Sequence, residues 1–178
     1  PQIRNQIEKD LDRQLNDILK KLDKLPEAIG VTPKGRQVTK TKRVRSALRA
    51  SAKKFVPALQ AATPQGKKVR ERTDKNGEII KYYPGNLRKS QQVIRFKKAS
   101  PLSIFVGPKK DRDKPVYGIT KFDPYYAPMV HDGTRYFAGN KFMNKAYNQA
   151  RVTVMQDLKK RVENIFRYHA KQKKLGKI

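Results

Sequence analysis

The stretch that decides the fold reads Tyr125-Tyr126-Ala127-Pro128-Met129-Val130-His131-Asp132-Gly133-Thr134, and Phe142-Met143-Asn144-Lys145-Ala146 follows it. It is the least basic and most aromatic part of a very basic chain. Its pattern predicts a short aromatic helix, a structural turn at Asp132, Gly133 and Thr134, and a terminal helix over about 141–171. Glycine after aspartate adopts a positive φ at little steric cost, so the chain can reverse there. We expect the remaining elements to pack around this turn.

The overall charge is the next strongest signal. The 178 residues include 43 Lys and Arg but only 15 Asp and Glu, which gives a formal net charge of +28. Solubility alone needs far less charge, and a charge of this size attracts polyanions over nanometre distances. Nucleic acid is the commonest such partner, and an anionic membrane surface is the second. The plainer alternative is that the basic clusters are solvated loops.

Residue types that carry catalysis or bind metals are scarce. The chain has no cysteine and only two histidines, His131 and His169, so neither a disulfide nor a zinc set is available. No phosphate-binding glycine motif occurs. His131 stands beside Asp132, but adjacent residues on a turn do not face each other. We therefore predict that the protein is not an enzyme and binds no metal and no cofactor.

The sequence contains neither a membrane span nor a secretory signal. No apolar run approaches the length that crosses a bilayer, and the first residues lack the apolar core of a signal peptide. We expect a soluble protein that is made inside the cell and does not bind a membrane.

Residues 1–29 are predicted to form an amphipathic helix that ends at Pro26. Its apolar residues recur every three or four positions and form one narrow stripe: Ile3, Ile7, Leu11, Leu15, Ile18, Leu22 and Leu25. A narrow stripe packs on one partner, which is either the rest of the same domain or a neighbouring subunit. Residues 30–40 contain glycine and proline with little apolar material, and we predict a linker there.

Residues 41–170 are predicted to form one α+β domain, in which helices pack on a small antiparallel sheet. Its first helix covers about 41–62, and Pro57 should kink or end it. Residues 67–83 form a basic β-hairpin around Asn76-Gly77, and this hairpin projects as an arm.

The segments that follow the hairpin are shorter. We predict, in chain order, a short helix at 84–90, two strands at 93–99 and 103–107, and a charged loop at 109–115. The apolar run of the second strand predicts burial on both of its faces. The tail at 171–178 is basic, and we expect it to fray.

The densest clusters of Lys and Arg are the candidates for contact with a polyanion. The predicted contacts to the DNA backbone are Lys40, Lys42, Arg43, Arg45, Arg49, Lys67, Lys68, Arg70 and Arg72. A third basic cluster lies between Lys171 and Lys177. No recognition helix with Asn or Gln among base-reading positions stands out. The charge therefore fits phosphate contacts better than readout of bases.

Four motifs occur in an order that resembles a known family. The series begins with Pro84-Gly85-Asn86-Leu87-Arg88-Lys89-Ser90, continues with a strand ending Phe105-Val106-Gly107, and closes with the aromatic turn and the Phe142-Met143-Asn144-Lys145-Ala146 helix start. It resembles, over roughly residues 44–168, the head–tail joining or tail-completion (neck) proteins of tailed bacteriophages of the Hong Kong phage type. That family typically shows a Gly-x-Leu-Arg-x-Ser element, a Val-Gly strand end, a Tyr-Ala-x-x-Val-Glu-x-Gly-Thr turn and a Pro-Phe-Leu-x-Pro-Ala helix start. His131 stands where the family usually has glutamate.

The resemblance implies a structural subunit of the virion neck, assembled in the host cytoplasm and without catalytic activity. Copies would form a homo-oligomeric ring, a hexamer or a dodecamer, that contacts portal-adaptor, tail-tube or other neck proteins. Such a ring surrounds the phage genomic DNA, which its Lys and Arg attract without reading the sequence. Rings use heterologous contacts between unlike patches. The candidate interface residues are Ile7, Leu11, Leu15, Tyr125, Tyr126, Met129, Tyr136 and Phe137.

Two other functions fit the same charge. A free nucleic-acid-binding protein, such as a ribosomal or nucleoid component, explains the net charge of +28 and the basic hairpin but not the ordered motifs. A minor capsid-associated protein would use its basic arm inside the head. Both alternatives stay open at this point, as does the question of which basic cluster faces the DNA.

Overall fold

The structure is a computed structural model that describes residues 2–73, 76–77, 79–94, 104–109, 111–116, 120–122 and 126–176. Six helices are described in chain order: α1 (Gln2–Asp23), α2 (Lys40–Lys53), α3 (Phe55–Ala62), α4 (Asn86–Lys89), α5 (Ala127–Asp132) and α6 (Phe142–Lys174). Ten short strands form antiparallel pairs: β1 (Ala28–Val31) with β2 (Gln37–Thr39), β3 (Arg70–Thr73) with β4 (Ile79–Tyr82), β5 (Gln91–Ile94) with β6 (Phe105–Pro108), β7 (Asp111–Val116) with β8 (Thr120–Phe122), and β9 (Gly133–Thr134) with β10 (Phe137–Ala138). The predicted α+β class is confirmed.

The chain divides into two compact units. Unit 1 is drawn from Pro1–Ser51 and Val152–Ile178, and unit 2 from Ala52–Phe96 and Ile104–Arg151. This division differs from the single central domain that we predicted. The N-terminal helix shares a unit with the second part of the C-terminal helix, because side chains from both enter one core.

The core of unit 1 joins three helices and one hairpin. Its buried residues are Ile18 and Leu22 of α1, Ile29 and Val38 of β1 and β2, Val44 and Ala47 of α2, and Leu158, Val162 and Ile165 of α6. Helix α1 ends at Asp23, ahead of Pro26, so the predicted helix over residues 1–29 is too long, and Ala28 and Ile29 belong to β1. Of the stripe residues whose side chains are described, Ile18, Leu22 and Leu25 pack within the chain's own unit.

The predicted linker at 30–40 is wrong. Strands β1 and β2 pair here as an antiparallel hairpin, and Ile29 of β1 is 0% exposed. The residues that suggested a linker form the hairpin turn, in which the Gly35 N–H donates to the Thr32 carbonyl at 2.9 Å. Two buried apolar residues, Ile29 and Val38, are enough to anchor so short a hairpin on the helices.

The predicted interruption of the second helix is confirmed. Helix α2 ends at Lys53 and α3 begins at Phe55. Pro57 becomes the third residue of α3, where a backbone N–H has no partner within the helix. Because proline lacks that N–H, it costs no hydrogen bond at this position, whereas it would break the interior of one continuous helix.

The core of unit 2 forms around the start of α6. Its buried residues are Leu59 of α3, Leu87 of α4, Ala127 of α5, and Phe142 and Ala146 of α6. Val106 of β6 and Val130 of α5 are partly buried against them. The motifs that are far apart in the sequence therefore meet in one hydrophobic cluster.

Several strand and tail predictions need correction. Phe105 is 51% exposed, so β6 is not buried on both faces; it belongs to a two-stranded sheet with one covered face. The segment predicted as a charged loop at 109–115 contains β7, which pairs with β8. The tail is not frayed at its start, since α6 continues to Lys174 and Gln172 accepts a hydrogen bond from the Val31 N–H at 3.3 Å.

Candidate nucleic-acid interface

Helix α2 separates its apolar and basic residues onto opposite faces. Its buried residues are Val44, Ala47 and Ser51. Lys42, Arg45 and Arg49 are all exposed and follow the spacing i, i+3, i+7, which places them along one line of the helix surface. We call these three residues the α2 basic row. It extends over about 10 Å at the rise of an α-helix.

The positions beside the α2 basic row carry short or positively charged side chains. Ser46 and Ala50 lie on the same side of the helix, one turn apart, and Ser46 is exposed. The sequence of α2 contains neither Asp nor Glu. A polyanion can therefore approach the three cations closely without meeting a carboxylate on this helix.

A polar contact within unit 1 fixes the inner face of α2. The buried Ser51 hydroxyl donates to Oδ2 of Asp157 on α6 at 2.8 Å. The same oxygen accepts a hydrogen bond from Nε of Arg161 at 2.6 Å. This network holds α2 against α6 with its basic row facing away from the core.

Arg43 flanks the α2 basic row and is held in place by an aromatic ring. Its guanidinium carbon lies 4.1 Å from the ring centroid of Tyr168, which is a cation–π geometry. The Tyr168 hydroxyl donates to the Val31 carbonyl at 3.1 Å, so the ring itself is fixed. Arg43 stays exposed, and its charge can add to that of the row.

Lys40 was predicted with the DNA contacts, but the structure gives its ammonium group another role. It donates to the Leu25 carbonyl at 2.8 Å and to the Leu22 carbonyl at 3.3 Å. These carbonyls lie at and just beyond the last turn of α1, where a cation also interacts favourably with the helix dipole. Lys40 thus serves to anchor α1 and is not part of the α2 basic row.

The basic hairpin β3–β4 forms as predicted, with Gly77 at a φ of +81° in its loop. Lys67, Lys68 and Arg70 are exposed in and before β3, and the side chain of Arg72 lies outside the described residues. Oε1 of Glu71 lies 2.9 Å from Nζ of Lys81 across the hairpin, and this hydrogen bond raises the pKa of Lys81. The hairpin therefore carries an internal ion pair, whereas α2 has no acidic residue.

The predicted turn at Asp132, Gly133 and Thr134 needs correction, because α5 ends at Asp132, Gly133 and Thr134 form β9, and the tight turn of this hairpin lies at Arg135 and Tyr136. Gly133 follows α5 with a φ of +94°, a conformation that favours glycine. Oδ1 of Asp132 accepts a hydrogen bond from Nζ of Lys141 at 3.0 Å, and this bond holds the pKa of the carboxyl below its usual range. This side-chain hydrogen bond therefore links the end of α5 to Lys141, the residue that precedes α6.

His131 contributes to the start of α6. Its Nδ1 accepts a hydrogen bond from the Met143 N–H at 3.3 Å, and its ring meets Phe142 edge-on with the centroids 5.2 Å apart. Our prediction that His131 and Asp132 do not face each other is wrong, because Nε2 and Oδ1 are 3.8 Å apart. A first-turn N–H of a helix otherwise lacks a partner, so this histidine acts as a structural cap.

The residues predicted as a subunit interface fall into three groups. Met129 is 46% exposed and Tyr136 is 78% exposed, with the Arg135 guanidinium stacked on the Tyr136 ring. Tyr126 is half-buried and packs against the core of unit 2. Tyr125 and the side chains of the following residues lie outside the described part of the chain: Ile7, Leu11, Leu15 and Phe137.

Two positions were missed in the sequence. A Cβ on Gly139 would lie 2.3 Å from the His131 carbonyl oxygen, so only glycine fits beside the turn. Nothing in the pattern around Gly139 signals this close approach. Ser51 was also missed, although its place on the buried face of α2 follows from helical spacing.

Within the described ranges, no group of three or more potential ligand residues could hold a metal ion. Nor does any helix that the structure describes have the length and apolar character needed to cross a membrane. No family model, curated protein or solved structure matches this chain.

Proposed function

We propose that this chain is a structural protein of the neck or tail end of a tailed-phage virion, in which copies form a ring that connects the portal side to the tail and surrounds DNA. The function is non-enzymatic. Each subunit would contact its neighbours, other neck, portal-adaptor or tail-tube proteins, and the phosphates of the genome.

The packing of the motifs supports this proposal. Leu87 comes from the Gly-Asn-Leu-Arg-Lys-Ser motif, Val106 from the Phe-Val-Gly motif, and Ala127 from the aromatic turn, and all three meet at the first turns of α6. Their convergence is what a common fold requires.

The α2 basic row is the observation that carries the DNA contact. Three exposed cations stand on one helix line without a carboxylate in the helix, and Ser51 and Tyr168 fix the orientation of that line. The row contains no aromatic side chain for stacking on bases and no Asn or Gln for hydrogen bonds to base edges. We therefore propose that this row contacts the phosphates of the duplex.

The first experiment measures the mass of the purified chain with and without DNA. A neck subunit forms a closed ring, so we expect a complex of six or twelve copies that persists without nucleic acid. A chain that stays monomeric at all concentrations and assembles only on DNA would contradict the proposal.

The second candidate function is that of a free nucleic-acid-binding protein. Helix α2 favours this second function. Its sequence contains neither Asp nor Glu, and a row of cations binds a duplex equally well on a monomer. The mass measurement separates the two functions, since only the neck subunit closes into a ring without DNA.

A further inference from the structure

A groove in unit 1 lies away from the α2 basic row. It runs between α1 and α6 and has a volume of about 340 Å³. Seven residues line it: Ile18 and Lys21 of α1, and Lys159, Val162, Glu163, Phe166 and Arg167 of α6. This volume lies at the lower end of the range of protein binding pockets, which is about 300–1,000 Å³.

The groove has an apolar floor. Ile18 and Val162 are buried members of the unit 1 core, and Phe166 packs beside them while staying partly exposed. The floor is thus the outer surface of a packed core, and the buried residues of unit 1 hold its side chains in place. An apolar side chain placed there would remove the exposed part of Phe166 from water.

The rim of the groove is basic. Lys159, Glu163 and Arg167 follow one another at i, i+4 and i+8 on α6, so the single carboxylate stands between two cations. Lys21 adds a third cation from the α1 side, and all four side chains are exposed. The rim therefore keeps an excess of positive charge that Glu163 does not balance.

We propose that this α1–α6 groove is a docking site for an acidic amphipathic helix of a partner protein. Apolar side chains of that helix lie on Phe166, and its carboxylates face Lys21, Lys159 and Arg167. A groove between two helices accepts a third helix through anchors spaced three or four residues apart. Oppositely charged rims set the orientation and speed the encounter.

The basic rim and the apolar floor of the groove together favour an acidic amphipathic helix over other partners. Nucleic acid presents phosphates, which satisfy the rim but gain nothing from an apolar floor. A second copy of this chain does not offer an acidic helix, because its four longest described helices are neutral (α1, α3) or basic (α2, α6). The inference stands independently of the neck function, because it concerns a different surface from the α2 basic row.

The experiment uses the full chain and three synthetic peptides of 14 residues. The probe is an Ala-based helical sequence that carries Leu at two positions four apart and Glu at the positions that flank them. The second peptide replaces both Leu by Gln, and the third keeps Leu and replaces Glu by Lys. Binding is followed by fluorescence anisotropy, and the contact site is mapped by amide shifts in ¹H–¹⁵N spectra.

We expect the probe to shift amides of Ile18, Lys21 and 159–167. The double variant Lys159→Glu/Arg167→Glu should weaken the probe about tenfold, because two attractions become two repulsions. The matched control Lys42→Glu/Arg49→Glu makes the same change in net charge on α2 and should weaken the probe much less. Both control peptides should bind more weakly than the probe.

Four outcomes would overturn the inference. Equal binding of the Gln peptide would mean that charge alone acts, and equal weakening by both double variants would mean that only net charge matters. Amide shifts at 159–167 on addition of a 20-base-pair duplex without peptide would make the groove a nucleic-acid surface. Concentration-dependent shifts of the same amides in the chain alone would make it a contact between copies.

Discussion

Removal of the α2 basic row gives the sharpest prediction for DNA binding. The variant Lys42→Gln/Arg45→Gln/Arg49→Gln keeps the helix, since all three side chains are exposed and glutamine is a good helix former. Each cation that neutralises a phosphate contributes about 0.9 to the slope of log K against log salt on duplex DNA. Loss of three contacts should therefore reduce the slope by about 2.7.

This change in slope has a measurable size. Between 50 and 200 mM salt, the wild-type affinity should fall about 40-fold more than that of the triple variant. The assay is fluorescence anisotropy with a labelled 20-base-pair duplex of two unrelated sequences, and both sequences should give the same result. A single strand of the same length should bind more weakly, because α2 offers no aromatic side chain for stacking on unpaired bases.

A matched control separates the row from the overall charge. The variant Lys9→Gln/Lys20→Gln/Lys24→Gln removes three exposed cations from and just after α1, a region that also contains acidic residues. Its salt slope should stay close to that of the wild type. Equal slopes for both triple variants, or a slope that the α2 variant leaves unchanged, would refute the assignment of DNA binding to α2.

The remaining predictions concern stability and the turn. Ile29→Ala should lower the free energy of unfolding by about 2–5 kcal/mol, measured in urea, because Ile29 is fully buried; a change below about 0.5 kcal/mol would fit a linker instead. Lys40→Met should lower stability by about 1 kcal/mol through loss of two hydrogen bonds, yet leave the DNA salt slope unchanged. Gly139→Ala should destabilise by about 1–3 kcal/mol, since its Cβ meets backbone; wild-type stability would contradict this. The hydrogen bond from Lys141 lowers the pKa of the Asp132 carboxyl, so it stabilises the wild type at neutral pH, and this stabilisation is lost below about pH 4. Asp132→Asn should therefore be less stable than the wild type at neutral pH but not below about pH 4. Identical profiles of stability against pH for the two proteins would contradict this bridge.

The helices and the end of α5 at Asp132 were predictable because their signals are local. The apolar residues of α1 and α6 recur at helical spacing, and an Asp-Gly pair permits a reversal without help from the rest of the fold. The break before α3 was predictable for the same reason, since Pro57 acts through its own missing N–H.

The missed features depend on contacts between distant residues. The β1–β2 hairpin looked like a linker because its strands offer little beyond Ile29 and Val38, and only the helices of unit 1 make these two residues part of a core. Gly139 is required by the His131 carbonyl, which no sequence pattern places beside it. Phe105 stays exposed because β6 has a partner strand but one uncovered face.

The candidate DNA contacts were only partly separable in the sequence. Lys40 and Lys42 are two residues apart and chemically alike, but Lys40 reaches back to carbonyls near the end of α1 while Lys42 faces solvent. Composition measures the amount of charge, whereas the fold decides which cations remain available to a partner.

The location of this chain in purified phage particles tests the proposed function most directly. Particles are labelled with a gold-conjugated antibody against the chain and examined by electron microscopy. A neck protein predicts label at the junction between head and tail, in one position per particle. Label spread over the shell, or particles that lack the chain at the junction, would contradict a role in the neck.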